Sequence, residues 1–363
     1  MFDVLTAVDQ LTPDCLTELL RADGALPRGR VLEVQQSTDD RDHAQLVHLT
    51  LAYSPDAPEG APRQLLAKLA RYDRTYAGYD TFRASETHFY RHLAPSIGAP
   101  PLVRCYAVAY SPEQGRGHLL LEDVSATHGV PKFPDAWPLP PPNALFEQIV
   151  DALAVCQSPY WGHPQLASLP GGYPAGACSP LSIQNGAAAY PQFAEQMGDR
   201  LAPGTRRLFE RVLAAYPAFD PRLLSGKHLT ITHGDFLFGN VLLPNDPRRD
   251  TVRIIDWELC TVNLGAFDLA EILSLHWDGG PHSERERDLV ARYHAGLQAR
   301  GVGAYSWEQC WYDYRLALLN HLFTPIQQWA DRHWPGSWWG RLERTVKRVG
   351  DLGCEELLEA AGA

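Results

Sequence analysis

The spacing of apolar positions changes twice along the chain. Thr12-Pro13-Asp14 places a capping hydroxyl before a proline at the first helical position, and Gly24 can end the short helix that follows. From Arg30 the pattern is extended: VLEVQQ, AQLVHLTLAY and RQLLAKLAR are short runs rich in alternating or β-branched apolar residues, separated by stretches such as SPDAPEGAP. They predict an antiparallel meander. Phe82, Phe89, Tyr90 and Leu93 then recur at helical spacing until PSIGAPP stops the helix. Two further strands fit LVRCYAVAY and HLLLEDV, with SPEQGRG as the turn.

Beyond this point the helical period dominates. The proline-dense stretch HGVPKFPDAWPLPPPN reads as a linker, after which Leu145, Phe146, Ile149, Val150 and Leu153 form one apolar stripe behind an Asn143 cap. A glycine-rich insertion, LPGGYPAGACSP, precedes more helix. Two short extended pieces, HLTITHGD and VRIIDWEL, interrupt before a helical pattern runs from Ala266 onward. At 363 residues the chain exceeds what one core usually supports. The expected organisation is α+β with two lobes: an N-terminal lobe over 1–122, made of antiparallel sheet plus a helix, and a larger, mainly helical lobe over 123–363.

Composition narrows the partners. Apolar residues make up 45% and charged residues 21%, which is ordinary for a folded soluble protein. A formal net charge of -11 without a long Lys/Arg run argues against nucleic acid or an anionic membrane as partner, and favours a cationic ligand. The seven cysteines are scattered and odd in number, without CxxC spacing, so a disulfide framework or zinc site is not expected. The first residues lack a secretory pattern and no run of eighteen apolar residues occurs, so a reducing cytoplasm is the expected location. Oligomeric state is left open.

The chemistry concentrates in His233-Gly234-Asp235-Phe236-Leu237-Phe238-Gly239-Asn240, followed sixteen residues after Asn240 by Asp256, at the end of the apolar run Ile254-Ile255. A carboxylate, an amide five residues on and a second carboxylate after a strand suit a metal–phosphate site. Magnesium takes hard oxygen ligands and needs only one or two protein groups besides phosphate oxygens and water. Asn240 and Asp256 supply such ligands, which leaves Asp235 to orient a hydroxyl and accept its proton.

This segment resembles the catalytic loop of the aminoglycoside phosphotransferase and choline kinase superfamily, in which HGDxxxxN and IDxE stand for the HRD and DFG elements of protein kinases. Gly265-Ala266-Phe267-Asp268-Leu269-Ala270 is similar to the GxxDLA segment that follows the metal aspartate there. The resemblance implies a two-lobed protein-kinase-like fold, ATP as phosphate donor with GTP left open, Mg2+, and a small-molecule hydroxyl acceptor. It further implies that Lys68 binds nucleotide phosphates, that Glu86 pairs with it, and that His233 and Asp268 brace the catalytic loop. The lobe hinge follows Leu119-Leu120-Leu121, so the backbone of Glu122, Asp123 and Val124 is expected at the purine edge. One departure stands out: the loop expected between the first two strands, Gln36 to His43, has no glycine. Ser37 or Thr38 would then donate to phosphate and Arg41 contribute charge, against three aspartates nearby.

For the acceptor, rings between Tyr305 and Trp339 are candidates to stack on a sugar or surround an amine, although most recur at core spacing. The run His333 to Trp339 is the better pocket wall, and Asp313 and Asp331 are candidate amine partners. No residue distinguishes an aminoglycoside, macrolide, amino alcohol, sugar or sterol. A kinase-like module that binds without turnover is the competing reading. A metal-dependent hydrolase lacks the further ligands it needs.

Overall fold

The structure is a computed structural model that describes residues 3–40, 44–70, 80–130, 143–164, 166, 181–275, 283–331 and 337–363. Arg41 and His43, the proline-rich stretch from 131 to 142, the glycine-rich insertion from 169 to 180 and the residues from His333 to Gly336 lie outside the described residues, as does the side chain of Phe82. In chain order the elements are α1 (Pro13–Asp23), β1 (Val31–Asp40), β2 (Ala44–Tyr53), β3 (Gln64–Ala70), α2 (Asp80–His88), α3 (Ala94–Ile97), β4 (Cys105–Ser111), β5 (Arg116–Glu122) and β6 (His128–Gly129). There follow α4 (Asn143–Gln157), α5 (Leu181–Met197), α6 (Pro203–Leu223), β7 (Leu229–Thr232), β8 (Val241–Pro244), β9 (Arg253–Ile254) and β10 (Thr261–Leu264). The chain ends in α7 (Ala266–Leu275), α8 (Ser283–Ala299), α9 (Trp307–His321), α10 (Thr324–Asp331), α11 (Ser337–Asp351) and α12 (Glu355–Ala360). This is the α+β arrangement the sequence predicts, with antiparallel sheet in the N-terminal part and helices in the C-terminal part.

The chain divides into two units, residues 1–130 with 241–260, and residues 131–240 with 261–363. The division differs from a single boundary at 122/123 because β8 pairs with β6 and with β9, while Leu102 bridges to Ile254. Those pairings tie 241–260 to the first unit.

In the first unit a five-stranded sheet runs in the order β1-β2-β3-β5-β4, every neighbour antiparallel. Alternation along its strands separates two faces. Val47, Leu49 and Leu51 of β2 and Leu65, Ala67 and Leu69 of β3 are buried with Leu16, Leu19 and Leu20 of α1. That helix starts as expected: the Thr12 hydroxyl accepts from Cys15 N–H at 3.2 Å, and Gly24 closes it at φ 84°. The opposite face carries Leu46, His48, Leu66 and Lys68. Register sets them in rows, with Ser37, His48, Leu66 and Leu121 in one and Leu46, Lys68 and Leu119 in the next.

The glycine-free segment is corrected by this register. Gln36 to Asp40 is strand, paired residue by residue with β2, so Ser37 sits opposite His48 within the sheet and not in a loop. The physical reason lies in the alternation: Gln36 points to the α1 face and donates to Leu11 O at 3.0 Å, which turns Ser37 to the other side.

In the second unit β7 and β10 form an antiparallel pair, and helices pack in the contacts α7 on α9, α4 on α8 and α5 on α10. Of the predicted α4 stripe, Phe146, Ile149, Val150 and Leu153 are fully buried and Leu145 is half-buried. Among the described residues no helix is long and apolar enough to cross a membrane.

Candidate active site

In the first unit, Lys68 leaves β3 on the face away from α1 and is held by two carboxylates. Its ammonium lies 2.8 Å from Oε2 of Glu86 on α2 and donates to Oδ1 of Asp256. The Lys68 and Glu86 side chains are only 18% and 8% exposed. Burial works against charge on Lys68, but Asp256, Glu86 and Glu258 outweigh it and hold its pKa well above the ordinary lysine value. Burial also raises the Glu86 carboxyl, with Lys68 opposing.

Asp256 reaches this position through an unusual backbone. It follows β9, whose Ile254 pairs with Val241 and Leu102, and it adopts the left-handed conformation at φ 67°. The next residue, Trp257, is fully buried and stacks on Phe89 with ring centroids 4.0 Å apart and planes 6° from parallel. That stack anchors the turn. One oxygen each from Glu86, Asp256 and Glu258 lie within 4.8 Å of one another. Three hard carboxylate donors with a single lysine among them fit a divalent cation such as magnesium, and Asp256 and Glu258 are the more accessible members.

In the second unit, Asp235 lies in the loop after β7, and Asn240 closes a single helical turn from Phe238. The Asn240 amide donates to the Asp235 carbonyl at 2.8 Å and to its carboxylate Oδ2 at 3.0 Å. The loop is suspended from α7. Asp268 accepts from His233 N–H at 2.8 Å, Gly234 N–H at 3.1 Å and Gln157 Nε2 at 3.0 Å. One helical turn on, Glu271 accepts from Phe236 N–H at 2.8 Å. Asp235 N–H donates to Nδ1 of the fully buried His233 at 3.3 Å. Gln157 in turn accepts from the Tyr293 hydroxyl.

Burial pushes the Asp268 carboxyl up to about 7 even with its three N–H donors opposing. Burial and then the charge of Asp235 push Glu271 well above the usual carboxylate range. Phe236 and Phe238 are buried on either side of Leu237, which fixes the path between Asp235 and Asn240.

Thus Lys68, Glu86 and Asp256 come together in one unit, and Asp235 and Asn240 in the other. Ser37, Glu122 and Val124 belong to the first unit. Glu122 N–H donates to Arg104 O at 2.8 Å, and the Val124 carbonyl accepts from Thr127 and His128 N–H at 2.9 and 2.8 Å. Gln157 and Glu271 were not anticipated, and Glu258 was read only as the last position of the IDxE motif, without a role of its own. Glu271 was findable: it stands three residues after Asp268 on the same helix face.

The structure overturns one expectation about the acceptor. Asp313 is fully buried and its carboxylate is taken by Arg222 at 2.8 and 2.5 Å, the Tyr305 hydroxyl at 2.9 Å and Gln309 at 2.8 Å. A carboxylate saturated by an internal arginine has nothing to offer an amine. Tyr305, Tyr314 and Phe323 are likewise core, while Trp339 is covered by the Arg200 guanidinium, 3.9 Å from the ring centroid.

Comparison with known proteins places these motifs. No curated protein sequence matches the chain. Among solved structures it is similar to a choline kinase from Cryptosporidium parvum, at 13% identity over 90% of this chain and 91% of that one, with a TM-score of 0.50. A choline kinase from Streptococcus pneumoniae matches at 16% identity over 88% and 94%, TM-score 0.48. An aminoglycoside phosphotransferase from Alicyclobacillus acidocaldarius matches at 14% identity over 91% and 93%, TM-score 0.45. The first likeness shows the kinase-like fold. The sequence profile described as the phosphotransferase enzyme family matches residues 40–307, about three quarters of the chain. The chain therefore belongs to the phosphotransferase enzyme family.

Proposed function

We propose that this phosphotransferase is a small-molecule kinase that moves the γ-phosphate of ATP to a hydroxyl group. The observation that carries the reading is Lys68 held by both Glu86 and Asp256. A lysine buried between carboxylates is presented as a fixed cation, which suits nucleotide phosphates. Asp256 and Asn240 would hold Mg2+, with Glu258 close to the first. When bound, the ion neutralises charge on the transferring phosphate.

Asp235 is assigned as the base. Asn240 and the α7 carboxylates fix its carboxylate and backbone, so the acceptor hydroxyl meets an oriented group. Such positioning provides most of the acceleration in phosphoryl transfer, where the protein performs little covalent chemistry. Glu122, Asp123 and Val124 are assigned to the purine edge, and Ser37 to the sheet face that carries Lys68. The net charge of -11 supports a cationic acceptor. The scattered, odd-numbered cysteines without CxxC spacing support a cytoplasmic setting.

A screen for ADP release over aminoglycosides, macrolides, amino alcohols, sugars and sterols, with mass detection of the product, tests the reading. One class should give acceptor-dependent ADP release and a phosphate ester. ADP release without any phosphorylated acceptor would contradict it.

A further inference from the structure

The face of the sheet that carries Lys68 also carries a polar pair that phosphoryl transfer does not use. His48 stands on β2 and Asp123 directly follows β5, with β3 between them. His48 Nδ1 and Asp123 Oδ2 are 2.5 Å apart, so the pair spans β3 across the row of Leu66. Lys68 is two residues further along β3, a separation of about 6.6 Å. Asp123 is also the middle residue of the segment assigned to the purine edge. A nucleotide with its phosphates at Lys68 and its base at Glu122–Val124 therefore passes His48.

Hydrogen bonding fixes which ring nitrogen carries the proton. Asp123 Oδ1 accepts from Ser125 N–H at 2.9 Å, and Oδ2 faces His48. Burial raises the Asp123 carboxyl, but the bonds from His48 and Ser125 outweigh it and hold it below the ordinary value. An ionised carboxylate only accepts, so Nδ1 bears the hydrogen. A ring that carries this one hydrogen presents Nε2 as an acceptor, on a side chain that is 36% exposed.

We propose that the His48–Asp123 pair selects the nucleotide base: His48 Nε2 accepts from the 6-amino group of adenine and meets the 6-oxo group of guanine acceptor against acceptor. The inference rests on the reading of Lys68 and the Glu122–Val124 segment as the nucleotide site. Asp123 acts through His48 as a positioning residue, since its bond sets the tautomer. If the pair merely braced the strand end, its loss would lower stability and affect both nucleotides alike.

Calorimetric titration of the full-length protein with MgATP and with MgGTP separates the cases. The native chain should bind ATP about tenfold more tightly than GTP or better, as one hydrogen bond gained against one acceptor left unpaired requires. His48→Leu should weaken ATP and close most of that gap. Asp123→Ala frees the ring to place its proton on Nε2 and should also narrow the gap. Each variant is read on its own, so failure of one to fold leaves the other decisive. An unchanged ATP:GTP ratio in either folded variant, or a native preference for GTP, overturns the inference alone. Native protein that binds neither nucleotide, or Lys68→Ala that binds both as tightly as native, overturns the nucleotide-site reading and the inference with it.

Discussion

The Asn240 side-chain amide bonds Asp235 twice, at its backbone carbonyl and at its carboxylate, with 2.8 and 3.0 Å separations. A proposed metal ligand therefore also sets the rotamer of the proposed base. Asn240→Ala should lower kcat by at least tenfold while costing about 1–2 kcal/mol of stability, the worth of two partly buried hydrogen bonds. Turnover assays and urea unfolding on the same preparation check both. A variant that loses stability but keeps kcat would separate Asn240 from the reaction.

Lys68 gives a different balance. Lys68→Ala leaves Glu86 buried beside Asp256 without its cation, and breaking such a pair costs about 3 kcal/mol or more when it is well buried. Glu86→Gln keeps a neutral partner and should cost less. Nucleotide affinity, read by titration, should fall in both variants and further in Lys68→Ala.

The suspension of the loop from His233 to Asn240 on α7 is equally open to test. Asp268→Ala strips the acceptor from His233 N–H and Gly234 N–H, each buried donor costing about 1–3 kcal/mol when unpaired. The thermal midpoint should drop by several degrees and kcat should fall. Glu271→Gln retains an oxygen for Phe236 N–H and should keep most of the stability, whereas Glu271→Leu should not. Equal midpoints for Gln and Leu would remove Glu271 from the loop's support.

How much of this the sequence carried depends on the distance over which each feature is determined. The α1 cap, the strands around Lys68 and the α4 stripe follow from local period and turn chemistry. Asp235, Asn240 and Asp256 could be proposed from the sequence because a loop and a strand end hold them in a short stretch. The partners of Asp313 were not legible, because Arg222 stands 91 residues away and only folding brings it to that carboxylate. Ser37 was misplaced into a loop for a related reason. Polar residues on β1 look like loop until Gln36 is seen to reach Leu11 and the β2 register is known. The left-handed turn at Asp256 likewise depends on Phe89 stacking on Trp257, a contact across 168 positions.

Acid stability follows from two buried histidines. Burial pushes the His118 and His321 pKa values down from 6.5 to about 4. His118 Nδ1 accepts from Leu5 N–H at 3.0 Å, and His321 Nε2 donates to Phe267 O at 3.1 Å. The unfolded chain binds these protons at about 6.5 and the folded one only near 4, so stability rises with pH across that window and is lost as pH falls through it. The full loss is on the order of 3 kcal/mol per histidine. Urea unfolding between pH 7 and pH 4 should show it, and His118→Gln should flatten the slope. An unaltered slope in that variant would mean His118 is not held neutral.

Asp235 is proposed to accept the proton of an acceptor hydroxyl as phosphate moves to it. The most direct test of that role is the turnover of Asp235→Asn, with the acceptor that the ADP-release screen identifies, beside calorimetric MgATP affinity of the same variant. Turnover should fall by at least a hundredfold with nucleotide affinity nearly unchanged. Turnover equal to that of the native chain would contradict it.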